Sequence, residues 1–162
     1  MRHRWLLVTT LGLAAVVMSG TATQAQNGNT DACLGEGNAY DQLMCLVDLG
    51  EAERASAPCM AAANPGVRWQ CVAIVAERID DSGLCAEIPV DIPDGQELRD
   101  VCLSDIAEAR ASGALCADIA TPGLKDSCYL GAVRAGADAT LCGEIADAAL
   151  KSACTGEPVT VD

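Results

Sequence analysis

Residues 115–129 read Leu115-Cys116-Ala117-Asp118-Ile119-Ala120-Thr121-Pro122-Gly123-Leu124-Lys125-Asp126-Ser127-Cys128-Tyr129. Two cysteines flank a Thr-Pro-Gly breaker, which ends one element and starts another. Before the breaker, Leu115, Cys116 and Ile119 fall within one helical turn. Beyond it, Leu124, Cys128, Tyr129 and Ala132 stand at -4, 0, +1 and +4 about the second cysteine. At 3.6 residues per turn those positions share one face of a helix, whereas strand alternation at period two does not collect them. The stretch therefore predicts a short helix, a turn and a longer helix of about 12 residues, about 18 Å long at 1.5 Å per residue.

Outward from this stretch the same pattern recurs. Cysteines fall at 33, 45, 59, 71, 85, 102, 116, 128, 142 and 154, with spacings of 12, 14, 12, 14, 17, 14, 12, 14 and 12. That alternation is an internal repeat of 26 residues with one unit lengthened by five. Aligned on the second cysteine, position -4 holds Val67, Leu98, Leu124 and Leu150, and +1 holds Leu46, Val72, Leu103 and Tyr129. Leu49, Val75, Ile106 and Ala132 fill +4, and Leu84-Cys85, Leu115-Cys116 and Leu141-Cys142 each precede an isoleucine (Ile88, Ile119, Ile145). Breakers recur at Asn64-Pro65-Gly66 and at Pro89, Pro93 and Asp94-Gly95. One hairpin buries too little surface to fold alone, so the units must stack and share an apolar seam. The expected fold is all-α: five tandem disulfide-stapled helical hairpins, forming a short α-solenoid or compact helical array over 33–154.

The flanks read differently. Met1-Arg2-His3-Arg4-Trp5, a largely apolar run from Leu6 to Met18 and Thr23-Gln24-Ala25 have the layout of a secretory signal peptide over 1–25. The apolar run is shorter than the ~20 residues a membrane span needs, and Cys33 lies too far downstream to take a lipid. Residues 26–32 read as a flexible N-terminal segment and 155–162 as a disordered C-terminal tail. An exported chain with an even number of cysteines is expected to pair them. Residues equally far from a hairpin turn face each other, and Cys116 and Cys128 straddle Thr121-Pro122-Gly123 almost symmetrically. Pairing Cys128 with Cys142 across Gly136-Ala137 is also feasible, but that scheme strands Cys33 and Cys154. Pairing within units uses all ten: Cys33–Cys45, Cys59–Cys71, Cys85–Cys102, Cys116–Cys128 and Cys142–Cys154. The alternative, a thiolate site for copper or zinc, usually clusters its cysteines two or three residues apart, and none here are closer than 12.

Composition excludes several functions. With 10 Lys+Arg against 23 Asp+Glu, a formal net charge of -13, no Phe and two Trp, the chain has no cationic footprint for nucleic acid. Its only histidine, His3, leaves with the signal peptide, so neither a Ser-His nor a Cys-His nucleophilic site is available. Paired carboxylates for glycan hydrolysis lack a marked pair and the aromatic platforms that hold sugars. The expectation is a secreted or periplasmic non-enzymatic protein, a ligand-binding or structural module without cofactor, whose charge points to a basic protein or peptide partner. Thiolate-based metal storage is the alternative.

Trp69 stands two residues before its second cysteine, where other units carry Leu43, Asp100, Asp126 and Ser152. Mostly polar, that position is expected to be exposed, and Trp69 there is either a contact anchor or a cover for the seam to the next unit. The enlarged loop, Pro89 to Glu97, is the place for binding in a repeat array, with Asp91, Asp94 and Glu97 as its acids. Their spacing does not match a calcium loop, and a solvated acidic turn is the plainer reading. Tyr129 belongs in the core, and Asp80-Asp81-Ser82 should cap the next short helix. A basic column, Arg68, Arg99, Lys125 and Lys151, is expected to pair with acids of the adjacent unit such as Glu77, Asp105 or Glu108 and so set stacking register.

Overall fold

A computed structural model describes residues 29–157. The signal-peptide reading of 1–25 and the last five residues of the tail lie outside the described residues. Helix α1 covers 29–34 and so begins ahead of Cys33. It is followed by α2 (Ala39–Glu53), α3 (Ala57–Met60), α4 (Pro65–Ile79), α5 (Ser82–Cys85), α6 (Gly95–Ala109), α7 (Gly113–Ala117) and α8 (Pro122–Arg134). A 3₁₀ helix (Ala139–Glu144) and α9 (Ala148–Thr155) complete the fifth unit. The long helices of the first four units run 13 to 15 residues, longer than the sequence predicts, whereas α9 has only eight.

Helix starts are fixed by side-chain caps. Asn38 accepts from the Asp41 N–H at 2.9 Å, Asn64 from Gly66 at 2.8 Å and Asp147 from Leu150 at 2.8 Å; each satisfies an N–H that has no partner within its helix. Pro65 and Pro122 open α4 and α8, where a missing N–H costs nothing. Asp81 caps the short helix α5 through the Gly83 N–H, as its sequence predicts. Long helices α2 and α4 end on left-handed residues, Arg54 and Asp80, and Ala111 takes the same conformation just after α6. Those residues reverse the chain into the next unit.

All five disulfides join cysteines of the same unit, Cys33–Cys45, Cys59–Cys71, Cys85–Cys102, Cys116–Cys128 and Cys142–Cys154. Each clips a short helix to its long partner across 12 or 17 residues, with Cα atoms 5.4 to 5.8 Å apart. Closing such a loop contributes about 3 kcal/mol in the chain-entropy model, which matters in a core built with no Phe. Successive long helices α2, α4, α6, α8 and α9 pack against one another, and each short helix after the first sits between the preceding long helix and its own. The apolar stripe lies in this seam: Leu46, Val72, Val75, Ile106, Ile88, Ile119 and Ile145 are fully or almost fully buried, and Tyr129 is buried with them. Units also meet through arginines. Arg78 on α4 pairs with Asp48 and Glu51 on α2, both at 3.0 Å, and Arg110 reaches back to Asp80 at 2.5 Å.

Candidate functional site

The position two residues before the second cysteine faces the next unit rather than solvent. Asp100 and Asp126 are buried there, which corrects the expectation that this position is exposed. Asp100, on α6, accepts the backbone N–H groups of Ala120 at 3.1 Å and Thr121 at 2.8 Å, at the mouth of α8. One unit on, Asp126 accepts those of Ala146 at 3.0 Å and Asp147 at 2.8 Å, at the mouth of α9. A carboxylate at a helix N-terminus meets both unpaired N–H groups and the positive end of the dipole, so α6 clasps the start of α8 and α8 clasps the start of α9. Desolvation pushes the Asp100 pKa up, but hydrogen bonds from Thr121, Ala120 and Gln96 outweigh it and hold the carboxyl below its ordinary value. In the fifth unit the position is Ser152, which donates to the Glu157 carbonyl.

Units one and two have no such carboxylate: unit one carries a buried Leu43, and unit two carries an aromatic ring. Its clasp position is Trp69, half-buried against the core. Arg68 fixes the indole: its guanidinium lies 5.9 Å from the ring centroid and donates twice, at 3.0 and 2.7 Å, to the Ala62 carbonyl. The element facing Trp69 is the five-residue enlargement. Gly95 lets that loop lie flat on the start of α6, since a Cβ there would strike the Pro89 carbonyl oxygen and the Ile92 side chain. Asp94 adopts a left-handed conformation at φ 59°, and the Gly95 N–H closes the turn on Ile92 O at 3.1 Å.

Folded so, the loop sets Ile92 and Pro93 across from Pro65 and Trp69, leaving a cleft of about 580 Å³ with Leu98 in its lining. A second hollow of about 180 Å³ adjoins it, sharing Gln70 and Leu98, and lies between α4 and α6 along Ile74 and the exposed Val101 to Glu77 and Asp105. The groove is thus apolar at one end and acidic at the other. Desolvation, then the charges of Glu77 and Glu108, raise the Asp105 pKa above its ordinary value.

Of the residues singled out in the sequence, Trp69 and Asp94 line the cleft, while Asp91 and Glu97 are exposed and do not. Among the described residues no group of three or more His, Cys, Asp or Glu side chains converges to hold a metal ion. Ile92, Pro93, Leu98, Val101 and Asp105 also line the groove, and the sequence marks none of them as a binding residue: it marks Pro93 as a breaker, Leu98 as part of the apolar stripe and Asp105 as an ion-pair partner. The available signal was an Ile-Pro pair inside an otherwise acidic insertion, downstream of the one aromatic clasp residue.

The basic column is also corrected. Arg99 donates to the carbonyls of Ala86 and Ile88 and Lys151 to Gly143 at 3.0 Å, as Arg68 does to Ala62. These cations therefore close the end of the short helix in their own unit rather than pairing with Glu77, Asp105 or Glu108 next door. That leaves Glu77 and Asp105 to line the far end of the groove, while the Glu108 side chain lies against Gly131 of α8. Comparison with protein-family models, with curated proteins and with solved structures found no match.

Proposed function

We propose that this chain is a secreted or periplasmic, non-enzymatic binding module that receives a protein or peptide ligand in the groove between units two and three. The observation that carries the reading is the cleft itself. At the one joint where a carboxylate clasp is replaced by an aromatic ring and the facing loop is enlarged, an apolar hollow opens to solvent. Its volume of about 580 Å³ lies in the range of small-ligand and side-chain pockets. The five disulfides are suited to an oxidising environment, and Cys59–Cys71 and Cys85–Cys102 keep the walls of the site pre-organised, which lowers the ordering cost of binding. Export is further supported by the signal-peptide layout of residues 1–25. The described residues carry no histidine, which supports binding over nucleophilic chemistry.

The test is recovery of a partner from the organism's own exported fraction by the oxidised protein, set against Trp69→Ala. The reading expects a partner held by the native chain and lost from the variant. An unchanged partner list would remove Trp69 and its cleft from the role. Thiolate metal storage needs free thiols, and all ten cysteines are paired. Thiol titration of the exported protein in denaturant should therefore find none, and ten would revive the metal reading.

A further inference from the structure

The geometry points to an extended segment of a partner protein as the occupant of this groove, with a bulky apolar side chain in the Trp69 cleft and a lysine or arginine four residues along at Glu77 and Asp105. This inference rests on the proposed binding role and adds the chemistry and polarity of the ligand.

Three features of the groove select that ligand. The wide end is walled by Trp69, Pro65, Ile92 and Pro93 and lined by Leu98, with Asp94 and Gln70 at its edge, a surface that gains mainly from burying apolar atoms. Val101 lies exposed along the second hollow, and Val90 lies exposed on the loop that forms the wall. They are two of the four large apolar side chains exposed among the described residues. At the far end Glu77 and Asp105 line the groove, the charges of Glu77 and Glu108 both act on Asp105, and among the described residues none of the three is in an ion pair. The cations nearest in sequence are engaged elsewhere, Arg78 with Asp48 and Glu51 and Arg110 with Asp80. A cation brought by the ligand would relieve the repulsion among those acids. Charge complementarity of this kind sets orientation and partner choice more than raw affinity.

The spacing follows from helix geometry. Trp69 and Glu77 lie eight residues apart on α4, about 12 Å at 1.5 Å per residue. An extended chain covers that in about four residues at ~3.3 Å each. The second hollow of about 180 Å³ is a slot for side chains laid along it, not a trough for a second helix some 10–12 Å across.

The probe is a capped peptide carrying one leucine and, four residues later, one arginine, in an otherwise Gly/Ser sequence. Trp69 is one of two tryptophans and the other, Trp5, lies in the signal segment, so indole fluorescence of the processed protein reports on this cleft alone. Binding should be saturable and fall with salt. Replacing the peptide's arginine by glutamate should abolish it, and moving the arginine to the second or sixth place should weaken it. Glu77→Gln and Asp105→Asn should each weaken binding about two- to fivefold and flatten the salt dependence. Both side chains lie outside the core, so loss of folding does not confuse the result. Trp69→Ala, followed by chemical shifts and checked by circular dichroism, should weaken binding about thirtyfold or more. Indifference to the arginine's position or sign, or to both charge variants, overturns the inference. If the peptide fails while a natural partner is still held through Trp69, this ligand chemistry is wrong and the binding role stands; if neither binds, both fall.

Discussion

The joint between units two and three and the joint between units three and four are built from equivalent positions, yet they come out chemically opposite. At the later joint a buried Asp100 reaches the backbone N–H groups of Ala120 and Thr121 and closes the seam. At the earlier one Trp69 has no acceptor to offer a backbone N–H and meets Ile92 and Pro93 of a longer loop, so the seam stays open as a cleft. A carboxylate can satisfy two N–H groups from one side-chain position, whereas an indole has no acceptor to offer them and contributes chiefly by covering area. The comparison shows how a repeat protein makes a site: it gives up one inter-unit clasp and lengthens the loop opposite.

The largest effect expected is from Asp100→Ala. Charge-assisted hydrogen bonds contribute about 1.5–3 kcal/mol each, and nearby water recovers part of the loss, so the variant should lose about 2–3 kcal/mol in denaturant unfolding. Hydrogen exchange should rise across α7, α8 and α9 while α2 and α4 stay protected. Uniform loss of protection along the chain would mean that the clasp is not local.

Gly95→Ala attacks the open joint instead. The added Cβ displaces the loop from α6, at about 1–3 kcal/mol for overpacking, and Trp69 emission should shift to the red as the cleft loses its wall. An unshifted spectrum would show that the loop does not shield the indole.

A smaller effect separates the left-handed turns at the two joints. Ala111 at φ 50° is held in a conformation that glycine adopts without strain, so Ala111→Gly should raise stability by about 1 kcal/mol. Asp80→Gly, at φ 59°, should gain less, because it also removes the carboxylate paired with Arg110.

Acid should act on the two joints with opposite sign. The depressed Asp100 pKa means stability present above the ordinary value of 3.8 and lost as pH falls through the folded value beneath it. Asp105 is raised, so the folded state binds the extra proton. Its contribution is present below 3.8 and is lost as pH rises through the higher folded value. Asp100→Asn and Asp105→Asn should therefore change the pH profile of stability in opposite directions, the second by the smaller amount because Asp105 is exposed.

Much of the fold was legible because it is written in local spacing. A cysteine period of 26, breakers between the pairs and apolar residues at helical offsets lead to stapled hairpins and to one connectivity. Tyr129 and the three isoleucines fell in the core for the same reason. Arg68, Arg99 and Lys151 were misread because their acceptors are backbone carbonyls, which carry no letter in a sequence. The Asp column was misread because a carboxylate is ordinarily exposed, and only the helix mouth lying against it makes burial favourable. A sign was present all the same, since Asp100 and Asp126 each stand 21 residues ahead of the residue that opens the next long helix.

By itself the sequence determined the repeat, the all-helical class and the pairing of ten cysteines, because helix periodicity and hairpin symmetry act within about 26 residues and need no knowledge of neighbours. The site was decided only in three dimensions. Trp69 and Ile92 lie 23 residues apart in different units, and whether they closed the seam or left it open depended on how one unit came to rest on the next.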